Sequence, residues 1–284
     1  MRILVTGSEG QLGHAMKALS PDHSKWTWKF TDLPDLDITD QKDVYQKVEN
    51  FKPDWIINAA AYTDVDGAES NKDLVYQINA EGPLNLAIAA KKKDAKLIHI
   101  STDYVFDGTK DVPYTVHDKP NPLQVYGKSK LEGENKIQET DVSGIILRTS
   151  WLYGHPGKNF VKTILRLAEE KDEIQVVNDQ IGSPTYANDL AEAIIKLLHI
   201  QSLSCMELLH FSNNGGISWY EFAKKIVLFS GLECKIKPLS SEKLRQKSVR
   251  PSFSVLDLYK IKKKYNILIK NWDSSLSFFL KKIK

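Results

Sequence analysis

Along the first half of the chain, short unbroken apolar runs alternate with longer amphipathic stretches. The runs Ile3–Thr6, Trp26–Thr31, Trp55–Asn58, Leu97–Ser101 and Ile145–Thr149 are apolar on consecutive residues rather than alternate ones. That is the pattern of parallel strands covered on both faces. The stretches between them predict helices near Gln11–Leu19, Gln41–Phe51, Leu74–Lys92 and Val125–Glu139. Strict alternation of the two predicts an α/β fold built on a doubly wound parallel sheet, with ligands outside the carboxyl ends of the strands. From about residue 151 the pattern loosens. Helices are predicted at Phe160–Glu170, Leu190–His199 and Ser218–Ser230, and strands at Ile174–Val177 and Leu209–Ser212. Pro238, Pro251 and the pair Gly215-Gly216 punctuate this half. It reads as a smaller C-terminal lobe that could add a strand or two to the first sheet.

Composition narrows the class. The chain has 284 residues, 42% hydrophobic and 26% charged, which is ordinary for a soluble globular protein and large enough to need no disulfide staple. Its two cysteines, Cys205 and Cys234, show no CxxC spacing and no neighbouring His cluster, so free thiols in a reducing cytoplasm are expected. The apolar run after Met1 is too short for a signal peptide, and no stretch approaches membrane-spanning length. A net charge of +3, with lysine runs at 91–93 and 260–264 that lack interleaved aromatics, gives no nucleic-acid motif. The seven histidines show neither metal-ligand spacing nor a partner for a nucleophile, which leaves a hydrolase without support.

Chemistry begins at the end of the first predicted strand. Thr6-Gly7-Ser8-Glu9-Gly10-Gln11-Leu12-Gly13 places Gly7, Gly10 and Gly13 in a GxxGxxG turn that opens the first helix. Such a turn lets backbone approach a pyrophosphate, and the free N–H groups of the helix N-terminus favour its charge. Residues 1–150 are therefore read as a Rossmann-type NAD(P)-binding domain and 151–284 as mainly a substrate-binding lobe. Glu9 is unwelcome beside a pyrophosphate and should point to solvent. The second strand ends at Asp32, where a carboxylate accepts the ribose hydroxyls of NADH and repels a 2′-phosphate; Asp35 and Asp37 compete for that role, and Asp37-Ile38 could flank the adenine.

Tyr126 and Lys130 stand four apart on a predicted helix, hence on one face. A free tyrosine has a pKa of about 10, too high for easy proton exchange at neutral pH. A neighbouring ammonium would lower it, and the phenol could then give a proton to a carbonyl oxygen while hydride arrives at the carbon. Lys130 could also hold the nicotinamide ribose. Thr102, in Ser101-Thr102-Asp103-Tyr104 at the end of the fourth strand, is placed to hydrogen-bond the reacting oxygen. Trp151 offers an indole face to a sugar ring, with core packing as the alternative; the other five tryptophans are assigned to packing. Asp64, Asp66 and Glu69 have neither the count nor the spacing of a full oxygen cage, so no metal is assigned and they are read as loop and helix-start carboxylates.

These motifs carry a family resemblance. GSEGQLG, NAAAYTDVDGAE (Asn58–Glu69), STDYVF (Ser101–Phe106), YGKSKLEGE (Tyr126–Glu134), RTSWLYG (Arg148–Gly154), NFV (Asn159–Val161), DQIGSPT (Asp179–Thr185) and Arg250-Pro251 occur in order over most of the chain. Together they resemble the dTDP-4-dehydrorhamnose reductases of the extended short-chain dehydrogenase/reductases. The resemblance implies reduction of the C4 ketone of dTDP-4-dehydro-L-rhamnose by NADPH or NADH, for cell-surface polysaccharide. By match it implies Tyr126, Lys130 and Thr102 as the catalytic set. Cofactor contacts would come from Gly7, Gly10, Gln11, Leu12, Gly13, Asp32, Asp37, Ile38, Ala60, Ala61, Tyr62 and Thr63, besides Tyr126 and Lys130. The substrate would meet Thr102, Asp103 and Trp151, with Asn159 and Arg250 at its diphosphate end; an ordinary salt bridge is the alternative for Arg250. Some members bind magnesium at a dimer interface through a glutamate two residues after the third glycine. Ala15 stands there in this chain, so neither ion nor that dimer is expected, and a monomer or weak homodimer is. Two rivals share the fold. An epimerase or dehydratase would keep its cofactor, but the dehydratases carry Asp-Glu after the strand-four threonine, where this chain has Asp103-Tyr104. A non-catalytic subunit, like the relative that regulates methionine adenosyltransferase, would differ in having no turnover.

Overall fold

A computed structural model describes residues 1–200, 202–244 and 247–283. The chain begins β1 (Arg2–Thr6), α1 (Gln11–Leu19), β2 (Thr27–Thr31), α2 (Gln41–Phe51) and β3 (Trp55–Asn58). The short helices α3 (Val65–Ala68) and α4 (Lys72–Tyr76) follow, then α5 (Gly82–Lys92), β4 (Lys96–Thr102), α6 (Val125–Gln138) and β5 (Gly144–Thr149). The second half runs β6 (Leu152–Tyr153), α7 (Phe160–Glu170), β7 (Glu173–Val177), β8 (Ile181–Gly182), β9 (Thr185–Tyr186) and α8 (Ala187–Leu198). It continues through β10 (Met206–His210), β11 (Ile217–Ser218), α9 (Trp219–Ser230), β12 (Lys235–Leu239), α10 (Tyr259–Tyr265) and α11 (Trp272–Ile283).

Six strands form one parallel sheet in the order β2-β1-β3-β4-β5-β10. This is the doubly wound, Rossmann-type α/β arrangement. Its apolar runs are explained by burial on both faces: Ile3 and Val5 of β1 point to a core shared with α1 and α8, while Leu4 between them joins α2 and α5 on the other side. The order reverses between β1 and β3, and a crevice opens at their carboxyl ends, where consecutive crossovers leave to opposite sides.

The two halves of the chain interleave. Strand β10 is the sixth strand of the main sheet, paired with β5 through Met206–His210, so it starts earlier than the predicted Leu209. Helix α8 packs on α1, and Leu256, Leu258 and Ile261 complete the same core. A separate smaller core gathers α7, α9 and α11 with the parallel pair β7–β12, through residues such as Val161, Ile174, Phe222, Ile226 and Phe279.

The helix predicted over Leu74–Lys92 is divided. Between α4 and α5 the backbone makes a π-helical turn at Gln77–Glu81. Pro83 lies just beyond and has no N–H to donate to the preceding turn. Asn79 within it reaches away from the helix: its side chain accepts from Tyr62 N (2.8 Å) and donates to Tyr62 O (3.1 Å) and Ser129 Oγ (3.1 Å). The irregular turn therefore fastens the loop after β3 to α6, beside the crevice. Among the described residues no helix is long and apolar enough to cross a membrane.

Candidate active site

A cleft of about 700 Å³ runs from the glycine turn, over the carboxyl ends of β1, β3 and β4, to the smaller lobe. At one end Gly7 has φ +68°, and a Cβ there would collide with the backbone of Ala59 and Ala60. Only glycine allows both the left-handed turn and the close approach of the loop after β3. Gly13 lines nothing; it lets α1 press on the backbone of Ser8. Helix α1 has no side-chain cap at Gly10, so the N–H groups of its first turn face the cleft without an internal partner. The turn thus fits a pyrophosphate. Glu9 stands at the rim and is drawn outward into an ion pair with Lys17, which holds its carboxyl below the usual range.

Asp32 lies in the cleft wall, but its carboxylate already accepts two backbone hydrogen bonds, from Glu9 N (2.8 Å) and Leu33 N (2.9 Å). It therefore ties the end of β2 to the glycine turn as well as facing the cleft. Asp37 lines the same end with Ile38 and accepts from Thr39 N (2.9 Å) and Oγ1 (2.8 Å); Asp35 is engaged by Lys47 outside the lining. Gln11, Leu12, Ala60, Ala61 and Thr63 line the floor. Tyr62 does not: it sits in a small cluster with Val75, Val125 and Tyr126, behind the wall.

The centre of the cleft holds Thr102, Asp103, Tyr126 and Lys130. Helix α6 begins here because Glu69 accepts from Val125 N (2.9 Å), which fixes the first turn that carries Tyr126. Thr102 accepts from Tyr104 N (3.1 Å) and donates to Asp103 Oδ1 (3.2 Å). Burial pushes the Tyr126 phenol up to about 12, with the Thr102 hydroxyl opposing the rise and the Asp103 charge adding to it. The phenol is thus raised, the reverse of what pairing with Lys130 alone predicts, because burial outweighs its neighbours; Lys130 Nζ donates to the Ile100 carbonyl (2.6 Å) and lies 3.4 Å from His99 Nε2. Burial also pulls Lys130 down to about 8 against the opposing charge of Glu134. Asp103 is raised to about 7 by burial, against hydrogen bonds from Ser254 and Thr102, and its Oδ2 is buried without a partner. A protonated phenol, a readily titrated lysine and a hydroxyl line the same cleft, the groups that proton delivery to a carbonyl oxygen calls for.

Trp151 closes the far end in a left-handed conformation, φ +45°, which is strained for an aromatic residue. Ser150 Oγ donates to Ser183 O (2.6 Å) and Thr185 N to Trp151 O (3.1 Å), which hold it there. The indole rests on Gly182 and stacks on Trp219, ring centroids 3.3 Å apart. Trp219 therefore lines the cleft rather than only packing. Nothing local marks it, since the contact joins residues far apart in sequence.

Two expected substrate contacts lie outside the lining. Asn159 caps α7 by accepting from Lys162 N (3.0 Å) and donates to Gln11 Oε1 (2.8 Å), so it braces the glycine turn from the smaller lobe. Arg250 pairs with Asp66 at 3.3 Å, and its Nε is buried without a partner. Asp66 also holds Ser248, Asp64 caps α3 through Gly67 N (3.0 Å), and Glu69, at the end of α3, accepts from Val125 N at the start of α6, so each of the three carboxylates has its own structural task.

The family model of the RmlD substrate binding domain matches residues 1–284. The chain belongs to this family. The spore coat polysaccharide biosynthesis protein SpsK of Bacillus subtilis is 41% identical over 98% of this chain and 96% of its own length. A dTDP-4-dehydrorhamnose reductase of Clostridium acetobutylicum superposes with a TM-score of 0.95 at 39% identity, covering 100% of this chain and 99% of that one. Another, from Bacillus anthracis in complex with NADP, superposes at 0.94 with 41% identity, covering 99% of each chain. For this member of the family, the fold and the whole length of the chain are those of its reductase relatives.

Proposed function

We propose that the chain reduces the C4 ketone of dTDP-4-dehydro-L-rhamnose to dTDP-L-rhamnose with NADPH or NADH, for cell-surface polysaccharide. The convergence of Thr102, Tyr126 and Lys130 at the centre of a cleft that starts from a glycine turn carries this reading. In it, residues 1–150 with α8 and β10 form the cofactor side, and the remainder forms the sugar side. The uncapped first turn of α1 holds the pyrophosphate and Asp32 faces the adenosine ribose; the cofactor, when bound, supplies a hydride. Tyr126 keeps its proton throughout the neutral range and gives it to the substrate oxygen, which Thr102 orients. Asp103 and Trp151 meet the sugar. Turnover separates this reading from a non-catalytic subunit: NADH and NADPH oxidation followed with dTDP-4-dehydro-sugars should show stoichiometric, releasable cofactor, and its absence would sink the proposal. Free Cys205 and Cys234 support a cytoplasmic enzyme.

Asp32 sets a second expectation. NADH should be used, alone or beside NADPH, and Asp32→Ala should weaken NADH more than NADPH because only the unphosphorylated ribose gains from the carboxylate. Wild-type protein that rejects NADH altogether would remove Asp32 from that role. A third expectation concerns divalent ions. Ala15 is only 4% exposed, within the core shared by α1 and α8, and offers no oxygen ligand. Activity should survive EDTA unchanged, with no magnesium-dependent change in sedimentation; a loss restored by magnesium would require other ligands.

A further inference from the structure

Beneath the cleft, four fully or nearly fully buried polar side chains form a line through the sheet: Thr6 on β1, Asn58 on β3, His99 on β4 and Lys130 on α6. Their hydrogen bonds can be read in only one direction. Ala60 N, which can only donate, lies 3.1 Å from Asn58 Oδ1, and Thr6 Oγ1 donates to the same oxygen at 2.8 Å. The amide oxygen of Asn58 is therefore on that side, and its Nδ2 must point to His99 Nδ1, 3.1 Å away. An amide NH2 is only a donor, so His99 Nδ1 carries a lone pair. His99 is completely buried and held well below the usual imidazole range by that burial, and next by the Lys130 charge, so it is neutral and its hydrogen resides on Nε2. That N–H faces Lys130 Nζ at 3.4 Å.

A donor aimed at Nζ suits an amine, which has a lone pair, and opposes an ammonium, which has none. We propose that His99 is a positioning residue: Asn58 fixes its tautomer, and its Nε2–H favours the amine form of Lys130, so that Lys130 readily gives a proton back to Tyr126. This rests on reading Tyr126 and Lys130 as the catalytic pair. Once the phenol has delivered its proton to the substrate oxygen, a phenolate remains. An N–H bond of the Lys130 ammonium breaks, the phenolate takes that proton to restore the O–H, and the amine left behind accepts from His99 before water reprotonates it. The Ile100 carbonyl anchors Nζ in both forms. The charged groups around Nζ do not replace this effect. Glu134 on α6 favours the ammonium, but it is itself bound through both oxygens by Arg148 on β5; Tyr126 stays protonated, and Asp103 acts on Tyr126.

The tautomer can be read in the resting full-length protein, independently of turnover, by 15N NMR with labelled histidine. His99 should show a protonated Nε2, a lone-pair Nδ1 and no titration through the neutral range; an Nδ1–H tautomer or a normally titrating ring would overturn the proposal. Asn58→Asp supplies the second test. A carboxylate still accepts from Ala60 and Thr6 but demands the hydrogen on Nδ1, which turns the Nε2 lone pair toward Lys130 and raises its pKa. The alkaline limb of kcat, near pH 8 where Lys130 loses its proton, should move up by about one unit. In a His99→Leu background the same substitution should move it much less. Equal movement in both backgrounds would mean that the new charge acts alone, and would also overturn the proposal.

Discussion

Tyr126→Phe is expected to lower turnover by about two to four orders of magnitude, the usual cost of losing a positioned general acid. Affinity for the cofactor should stay near the wild-type value. The reason lies in what the substitution leaves alone. The ring keeps its edge-to-face contact with Tyr104, centroids 6.0 Å apart, and its place against Val125 and Tyr62. Thr102 keeps its bonds to Tyr104 N and Asp103. Only the hydroxyl disappears, and with it the proton that burial keeps on the phenol. Single-turnover kinetics and cofactor fluorescence titration check the two halves of the expectation, and an unchanged thermal midpoint shows that the fold is intact. Full turnover by the Phe variant would remove Tyr126 from the chemistry.

Glu134→Leu is expected to destabilise the protein by about 3–5 kcal/mol, because it leaves a guanidinium buried without its partner. The side chains of Glu134 and Arg148 are 1% and 3% exposed. Arg148 Nε and Nη2 donate to the two carboxylate oxygens at 2.9 and 2.6 Å, and Ser101 Oγ donates to the same group. The pair joins α6 to β5 and β4, directly beneath the cleft. Replacing both partners, as in Glu134→Leu with Arg148→Met, should recover most of the loss, since no uncompensated charge then remains. Denaturant midpoints of the single and double variants provide the comparison. A double variant no more stable than Glu134→Leu would mean that the pair contributes through packing rather than charge.

Glu134 ends the motif YGKSKLEGE and Arg148 begins RTSWLYG, yet the sequence does not show that they pair. Glu134 reads locally as one more charge on an amphipathic helix and Arg148 as the end of a strand. Nothing in either neighbourhood says that α6 crosses β5 at that point. The same holds for Asn58 and His99, which lie on different strands, and for Trp219, whose stacking partner Trp151 belongs to another element. Asn159 and Arg250 carry the converse lesson. Their residue types suit a diphosphate, but the fold engages one in capping α7 and bracing Gln11, and the other in an ion pair with Asp66.

By itself the sequence determined the alternation of strands and helices, since consecutive apolar residues and helical periodicity are local consequences of which faces are buried. It also determined the glycine turn, because φ +68° at Gly7 is a demand on one residue, and the presence of Tyr126 and Lys130 on one helical face, because four residues make about one turn. Only the tertiary structure decided that α8 and β10 return to the first sheet, which depends on β10 pairing with β5 across the six elements from β6 to α8 that lie between them. It alone decided the proton states in the cleft as well. Burial and hydrogen-bond direction set them, raising Tyr126, lowering Lys130 and fixing the His99 tautomer, and both arise from groups brought together by the fold rather than by their order along the chain.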